Sequence, residues 1–272
     1  LTVHDLLFNS MPEFIDSIIC RIYFELIHNR SASQAAKIIT VSDFTRKELM
    51  RFHPDAAHKS YTIHNGISEA FTNMTDETAI KEFREKTGVF TPYFLAVGSL
   101  KRHKNFATLL KSFALLKTQA TNSVKLVIIA KRDLRNPDDS IAGLVQKLNL
   151  SADVTFTDDL TETLLAAAYS GAEAFISTSL YEGFGLPIVE AMASRTPLIL
   201  SDIDVFHEIT RGSALYIDPY SAASVTNAMI KVLNDTNSYR NIVATAYEHS
   251  FEYSWKITAL KTMAIYREAA GS

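Results

Sequence analysis

The stretch Ser177-Thr-Ser-Leu-Tyr-Glu182-Gly-Phe-Gly-Leu-Pro187-Ile-Val-Glu190-Ala-Met-Ala193 constrains this chain more than any other. Ala174-Phe175-Ile176 before it is an apolar run of the kind that ends a buried strand. Pro187 opens a helix, because its missing N–H would have had no intrahelical partner and its φ is already helical. Strand, glycine loop and helix N-terminus in that order aim unpaired N–H groups and the positive end of the helix dipole at the loop. Gly183 and Gly185 have no Cβ, so a ligand can reach the backbone. Glu182 in the loop and Glu190 in the first turns of the helix set a carboxylate on either side of that donor-rich pocket, and a carboxylate accepts two hydrogen bonds from a vicinal diol. A phosphate-bearing sugar would use each of these features. For the glutamate pair alone, an ordinary turn followed by an acidic helix start is the plainer reading.

Glu182-Gly-Phe-Gly-Leu-Pro-Ile-Val-Glu190 resembles the Glu-x7-Glu signature of the retaining family 4 glycosyltransferases. That family has the α/β GT-B fold, two Rossmann-like domains whose parallel sheets face a cleft. The resemblance implies that Glu182 and the amides of Gly183, Phe184, Gly185 and Leu186 hold a donor sugar, and that Glu190 holds the nucleotide ribose. Thr2-Val-His-Asp-Leu-Leu-Phe8 with Pro12-Glu13 resembles a segment of the family's N-terminal domain, which would set His4 across the cleft from donor and acceptor. Without the resemblance, His4 reads as a structural hydrogen-bonding residue just past a strand end at Leu1–Val3.

Strand Tyr93–Val97 leads into Gly98-Ser-Leu-Lys101-Arg102-His103-Lys104-Asn105. Ammonium and guanidinium groups there complement a diphosphate directly, and a solvated basic loop is an equally good reading. The family's loop usually ends Arg-Lys-Asn. The resemblance therefore assigns Lys104 to the diphosphate, places Gly98 in the donor site, and leaves the second phosphate contact open between Arg102 and His103. Glu208, in a loop with Asp202, Asp204 and His207, matches a family glutamate near the sugar. His207-Glu208 has no second His four residues on, so a zinc-protease reading fails.

Composition narrows the partners. A net charge of −3 gives no reason to expect nucleic acid or attachment of the whole surface to an anionic membrane. Any membrane contact would be local and peripheral. The single cysteine, Cys20, excludes an internal disulfide and paired-thiolate zinc, and suits a reducing compartment such as the cytoplasm. No stretch reaches the roughly 18 uninterrupted apolar residues of a membrane span. The chain opens Leu1-Thr-Val without Met or a signal peptide. It is therefore expected to be a fragment lacking the front of its first domain, with little turnover by itself.

Elsewhere the sequence predicts alternating strands and helices. Apolar residues at Ile15, Ile18, Ile19, Ile22, Tyr23, Leu26 and Ile27 have helical spacing and are expected to pack into a core. Strands are predicted at 37–41, 61–64, 124–130, 154–156, 197–200 and 214–217. Helices are predicted at 44–52 with a Ser42-Asp43 cap, 77–86, from 106, 141–148, 161–169, 222–233, 238–249 and from Ser254. Asn65-Gly66 suits φ > 0. Asp158-Asp159 and the charged loop 131–139 read as solvated turns.

These elements divide as 1–75, the end of an acceptor-side domain; 76–253, a nucleotide-sugar domain; and 254–272, a terminal helix crossing back. The resemblance implies hexose transfer from a sugar nucleotide to a glycan or lipid-linked acceptor, with retention and without a metal or other cofactor. The His-Asp start and the His103-Lys104-Asn105 loop resemble those of bacterial mannosyltransferases of surface polysaccharide and lipopolysaccharide, which points to GDP-mannose. A non-catalytic sugar-nucleotide-binding fragment and a GT-B sugar-nucleotide epimerase are the alternatives. A nicotinamide oxidoreductase would need Gly-x-Gly-x-x-Gly after a strand, which is missing.

Overall fold

A computed structural model describes residues 1–14, 18–72, 77–119, 123–130, 139–158, 160–235 and 239–271. Among them stand two parallel sheets. The smaller has β1 (Thr2–Val3), β2 (Ile38–Thr40) and β3 (Ser60–Thr62) side by side, with Thr2 opposite Ile39 and Ile38 opposite Ser60. The larger is built from β4 (Tyr93–Val97), β5 (Lys125–Ile129), β6 (Val154–Thr157), β7 (Ala174–Ser177), β8 (Leu198–Ser201) and β9 (Leu215–Ile217), paired in the order β6-β5-β4-β7-β8-β9. Numbered within this sheet, the order is 3-2-1-4-5-6, the Rossmann arrangement, and it reverses between β4 and β7.

The strands of the larger sheet are almost continuously apolar because both of its faces are covered. Alternate residues point to opposite sides. Tyr93, Leu95, Val127, Phe175, Leu198 and Leu200 pack into one core with α8 (Glu162–Ser170) and α9 (Leu186–Ala193). Phe94, Ala96, Leu126, Ile128, Ile176 and Ile199 pack into the other with α6 (Phe106–Gln119) and α11 (Ala222–Asn234). The helices that follow β4 and β7 therefore leave on opposite faces and open a crevice between the two loops.

In the smaller part, α3 (Asp43–Phe52) is capped by Ser42, whose Oγ accepts the Thr45 N–H at 2.9 Å. The last helix, α13 (Trp255–Gly271), lies against this part. Ile265 packs with Ile39 and Ile63, Thr258 Oγ1 donates to the His64 carbonyl at 2.8 Å, and Glu268 pairs with Lys37 at 3.3 Å.

Three expectations change. Helix α2 (Ile18–Gln34) forms, but Ile19 (75% exposed), Ile22, Leu26 (66%) and Ile27 face outward, because no described element covers that side. The spacing gave the helix and its apolar stripe; it could not supply a facing layer. Gly66 does not adopt positive φ. It is needed because a Cβ there would overlap the backbone of Ser254 and Trp255, where α13 begins and Ile67 bridges Ser254. The expected loop at Asp204–Glu208 is helical, α10 (Asp204–Thr210). Loop residues 131–138, Asp159, Ile15, Ser238, the side chains of Ile18 and Tyr23, and the expected boundary at 73–76 lie outside the described residues.

Candidate active site

The candidate site lies at the carboxyl ends of β4 and β7, where the strand order reverses and open α/β sheets hold their ligands. Hydrogen bonds to backbone carbonyls zip the two loops together. The Leu180 N–H donates to the His103 carbonyl at 2.8 Å, and Thr178 Oγ1 donates to the carbonyls of Lys104 and Asn105 at 3.3 and 3.0 Å. Residues Arg102–Lys104 make one tight turn, which ends because Asn105 is left-handed, with φ 54°.

This turn carries Lys104 to Glu182. The Lys104 ammonium bonds Glu182 Oε1, and both side chains are largely buried. The same oxygen accepts Ser179 Oγ at 2.8 Å, and Ser177 Oγ donates to Ser179 Oγ at 3.2 Å. Oε1 is thus held from two sides, which fixes the rotamer of Glu182 and leaves Oε2 without a partner among the described residues.

Gly183 is compelled by its neighbours. A Cβ would overlap the His4 carbonyl oxygen, and the Gly183 carbonyl accepts Ser42 Oγ at 2.6 Å and Thr45 Oγ1 at 3.0 Å. The backbone of His4 therefore touches the motif loop, while the His4 residue itself is exposed. Gly185 is the N-cap of α9 at φ 99°, a conformation that favours glycine. Leu186 takes the first helical position and Pro187 the second, and no side chain caps this end. Phe184 is buried between the rings of His64 and Tyr253, so only its backbone can face a ligand.

Glu190 is placed apart from Glu182, on the α8 side of α9, where it accepts a 2.8 Å bond from Tyr169 Oη. Burial raises its carboxyl above the ordinary value, against the pull of that hydrogen bond. Burial, with Glu190 beside it, raises the Tyr169 phenol as well. On the other loop, burial lowers the His103 imidazole, opposed by the nearby Glu182 charge. Its ring meets the edge of Phe14 at 6.4 Å. Arg102 turns away, its guanidinium 5.7 Å from the Phe14 ring and bonded to the Glu13 carbonyl at 3.5 Å. Gly98, at φ 154°, lies against the aliphatic stem of Lys104.

Several site residues escaped sequence reasoning. Ser177 and Ser179 lie inside the motif, where only a fold-dependent chain, Ser177 to Ser179 and Ser179 to Glu182, marks them. Tyr181 Oη accepts the Leu6 N–H at 3.1 Å, tying the motif loop to the smaller part. Glu208 is held by partners within the fold. Its two oxygens accept the N–H groups of Asp43 and Phe44, each at 2.8 Å, and Oε1 meets His64 Nε2 at 3.0 Å. It caps α3 from across the chain, a role with no local signal because Ser42 already provides the ordinary cap.

With this geometry established, the sequence profile of the group 1 glycosyl transferases matches residues 79–249, more than half of the chain. The chain belongs to that family. The O-antigen chain mannosyltransferase RfbU of Salmonella typhimurium is 33% identical over 250 residues, covering 91% of this chain and 65% of RfbU. O-antigen chain mannosyltransferase B of Escherichia coli is 26% identical over 98% of the chain and 69% of the relative. The chain thus spans about two thirds of these relatives' lengths. Among solved structures, Anabaena HepE in complex with UDP-glucose superposes with a TM-score of 0.80 at 18% identity, over 100% of this chain and 71% of HepE. That likeness fits the GT-B arrangement of parallel α/β sheets. No described helix is long and apolar enough to cross a membrane.

Proposed function

We propose that this glycosyltransferase moves a mannosyl group from GDP-mannose to a hydroxyl of a glycan or lipid-linked acceptor, with retention of configuration, during assembly of a surface polysaccharide. The observation that carries the reading is the Lys104–Glu182 contact at the uncapped N-terminus of α9, where a diphosphate and a sugar would both find complementary groups. The names of RfbU and mannosyltransferase B support mannose and O-antigen assembly. The UDP-glucose bound to HepE supports a sugar nucleotide as donor class.

In this scheme the amides before Pro187 and the Lys104 ammonium stabilise charge on the departing diphosphate, which preorganised donors do more effectively than solvent. The bond from the sugar's anomeric carbon to the diphosphate oxygen breaks, and the acceptor oxygen bonds that carbon on the same face. The acceptor's proton passes to the departing diphosphate oxygen. Oε2 of Glu182 faces the sugar, Glu190 holds the ribose, and exposed His4 lines the acceptor side. His103 is the better second phosphate contact, because Arg102 is engaged with Glu13 and Phe14.

No metal is required in this reading. Calorimetry of GDP against the purified chain should give the same affinity in chelator as in magnesium; binding that vanishes in chelator overturns the basic-loop account. Transfer from radiolabelled GDP-mannose to a lipid-linked or oligosaccharide acceptor tests the reaction. Donor epimerisation without transfer would establish the epimerase alternative instead.

A further inference from the structure

Beside the proposed donor site the larger sheet carries a cavity of about 320 Å³, lined by Leu180, Asp202, Ile203, Asp218, Pro219 and Tyr220. Its size is at the lower end of the roughly 300–1,000 Å³ of small-molecule sites. The lining residues follow β7, β8 and β9 in turn, so the cavity opens at the carboxyl ends of three adjacent strands, where this fold places ligands. Leu180 stands two residues before Glu182, which makes the cavity a neighbour of the motif loop.

We infer that this cavity is a saccharide subsite, holding a neutral sugar unit of the acceptor glycan behind its reacting end. The inference rests on the glycosyl-transfer reading for the kind of ligand, and on the cavity itself for the chemistry. Two of its walls are carboxylates and none is a cation, so a phosphate would be repelled while a polyhydroxyl compound would be bound. Asp202 uses Oδ1 to hold His207 Nε2 at 2.5 Å, and Asp218 uses Oδ1 to accept the Tyr220 N–H at 2.8 Å. Each keeps its second oxygen without a partner among the described residues, and such an oxygen can accept a hydroxyl of a sugar.

Tyr220 provides the complementary surface. The residue is 73% exposed, yet its backbone is fixed by the Asp218 bond and by Pro219, whose carbonyl accepts Asn105 Nδ2 at 2.7 Å. A lone exposed ring needs no explanation. A ring on a rigid turn beside two carboxylates and the apolar walls of Leu180 and Ile203 offers both halves of a sugar's surface a partner: C–H groups against the aromatic face, hydroxyls against the acids. Asn105 links this turn to the Lys104 loop, so the subsite and the proposed donor site share one rigid frame.

The test titrates α-linked mannotriose, followed by calorimetry or by protein NMR shifts, into the wild-type chain, Tyr220→Ala and Asp218→Asn. GDP is titrated in parallel as a check on the proposed donor site and on folding. Tyr220→Ala should weaken mannotriose about ten-fold and Asp218→Asn several-fold, with GDP unaffected. Mannotriose that fails to bind the wild type, or binds all three proteins equally, overturns the subsite. A wild-type chain that ignores GDP but binds mannotriose in a Tyr220-dependent way would sink the donor assignment and leave the subsite standing.

Discussion

At the scale of single residues, the two motif glutamates have different surroundings, and these separate their expected effects. Glu190 accepts one bond from Tyr169 and is lifted by burial, while Glu182 is tied to Lys104 and Ser179. Glu190→Ala should weaken GDP and donor alike, because ribose is common to both. Loss of hydrogen bonds to a charged group costs about 1.5–3 kcal/mol, or roughly ten-fold to a hundred-fold in affinity. Glu182→Gln should leave GDP binding unchanged or stronger, since it frees Lys104 from an ion pair, and should lower the single-turnover transfer rate of an active enzyme. Calorimetry that shows Glu182→Gln abolishing GDP binding would reverse the assignment. Gly183→Ala sets a methyl against the His4 carbonyl. Overpacking of this kind costs about 1–3 kcal/mol, so its thermal midpoint should fall; a wild-type melting curve would contradict the close approach.

At the scale of elements, α3 depends on a carboxylate from α10. Glu208→Ala removes acceptors from two N–H groups in its first turn, a loss of about 0.5–2 kcal/mol by comparison with ordinary caps. Hydrogen exchange should quicken at Asp43 and Phe44 while the strands of the larger sheet stay protected; uniform protection would show the cap to be dispensable. Helices α2 and α3 also bring His28 Nδ1 to 3.3 Å from His53 Nε2. Burial, then the charge of His53, lowers the His28 imidazole against an opposing pull from Asp5, and burial lowers His53. The unfolded chain, with ordinary histidines near 6.5, therefore takes up protons before the folded one does. The stabilising term is fully present above pH 6.5 and is lost as pH falls below it. Denaturant melts between pH 7.5 and 5.5 should show this loss, reduced in His28→Gln; an equal loss in that variant would locate the effect elsewhere.

At the scale of the whole molecule, the two sheets are joined by contacts distant in sequence: Gly183 with His4, Ser42 and Thr45, Tyr181 with Leu6, Glu208 with α3, and α13 with the smaller sheet. Because Ile265 is the buried residue by which α13 meets Ile39 and Ile63, Ile265→Ala should loosen that helix first. Large-to-small core changes cost about 2–5 kcal/mol; this one should fall near the lower end, because the cluster is small. Limited proteolysis should then cut within α13 earlier than in the wild type, and an unchanged cleavage order would show that Lys37–Glu268 and Thr258 suffice.

What the sequence determined by itself was local. Apolar runs and their periodicity located the strands of the larger sheet and most helices, and the run from Glu182 to Glu190 carried its strand, loop and helix start, because each depends on neighbours within a few residues. It also brought Lys104 and Glu182 under one hypothesis through their resemblance to a family. Only tertiary structure decided which partners they take. Strand order brought the β4 and β7 loops together, packing turned Phe184 inward and left Ile19, Ile22, Leu26 and Ile27 of α2 exposed among the described residues, and the approach of two backbones, not positive φ, explained Gly66. Glu208 shows the reason most plainly: its carboxylate is committed by N–H groups more than 160 residues away, and no local pattern of residue types encodes a contact set by the docking of two separately built surfaces.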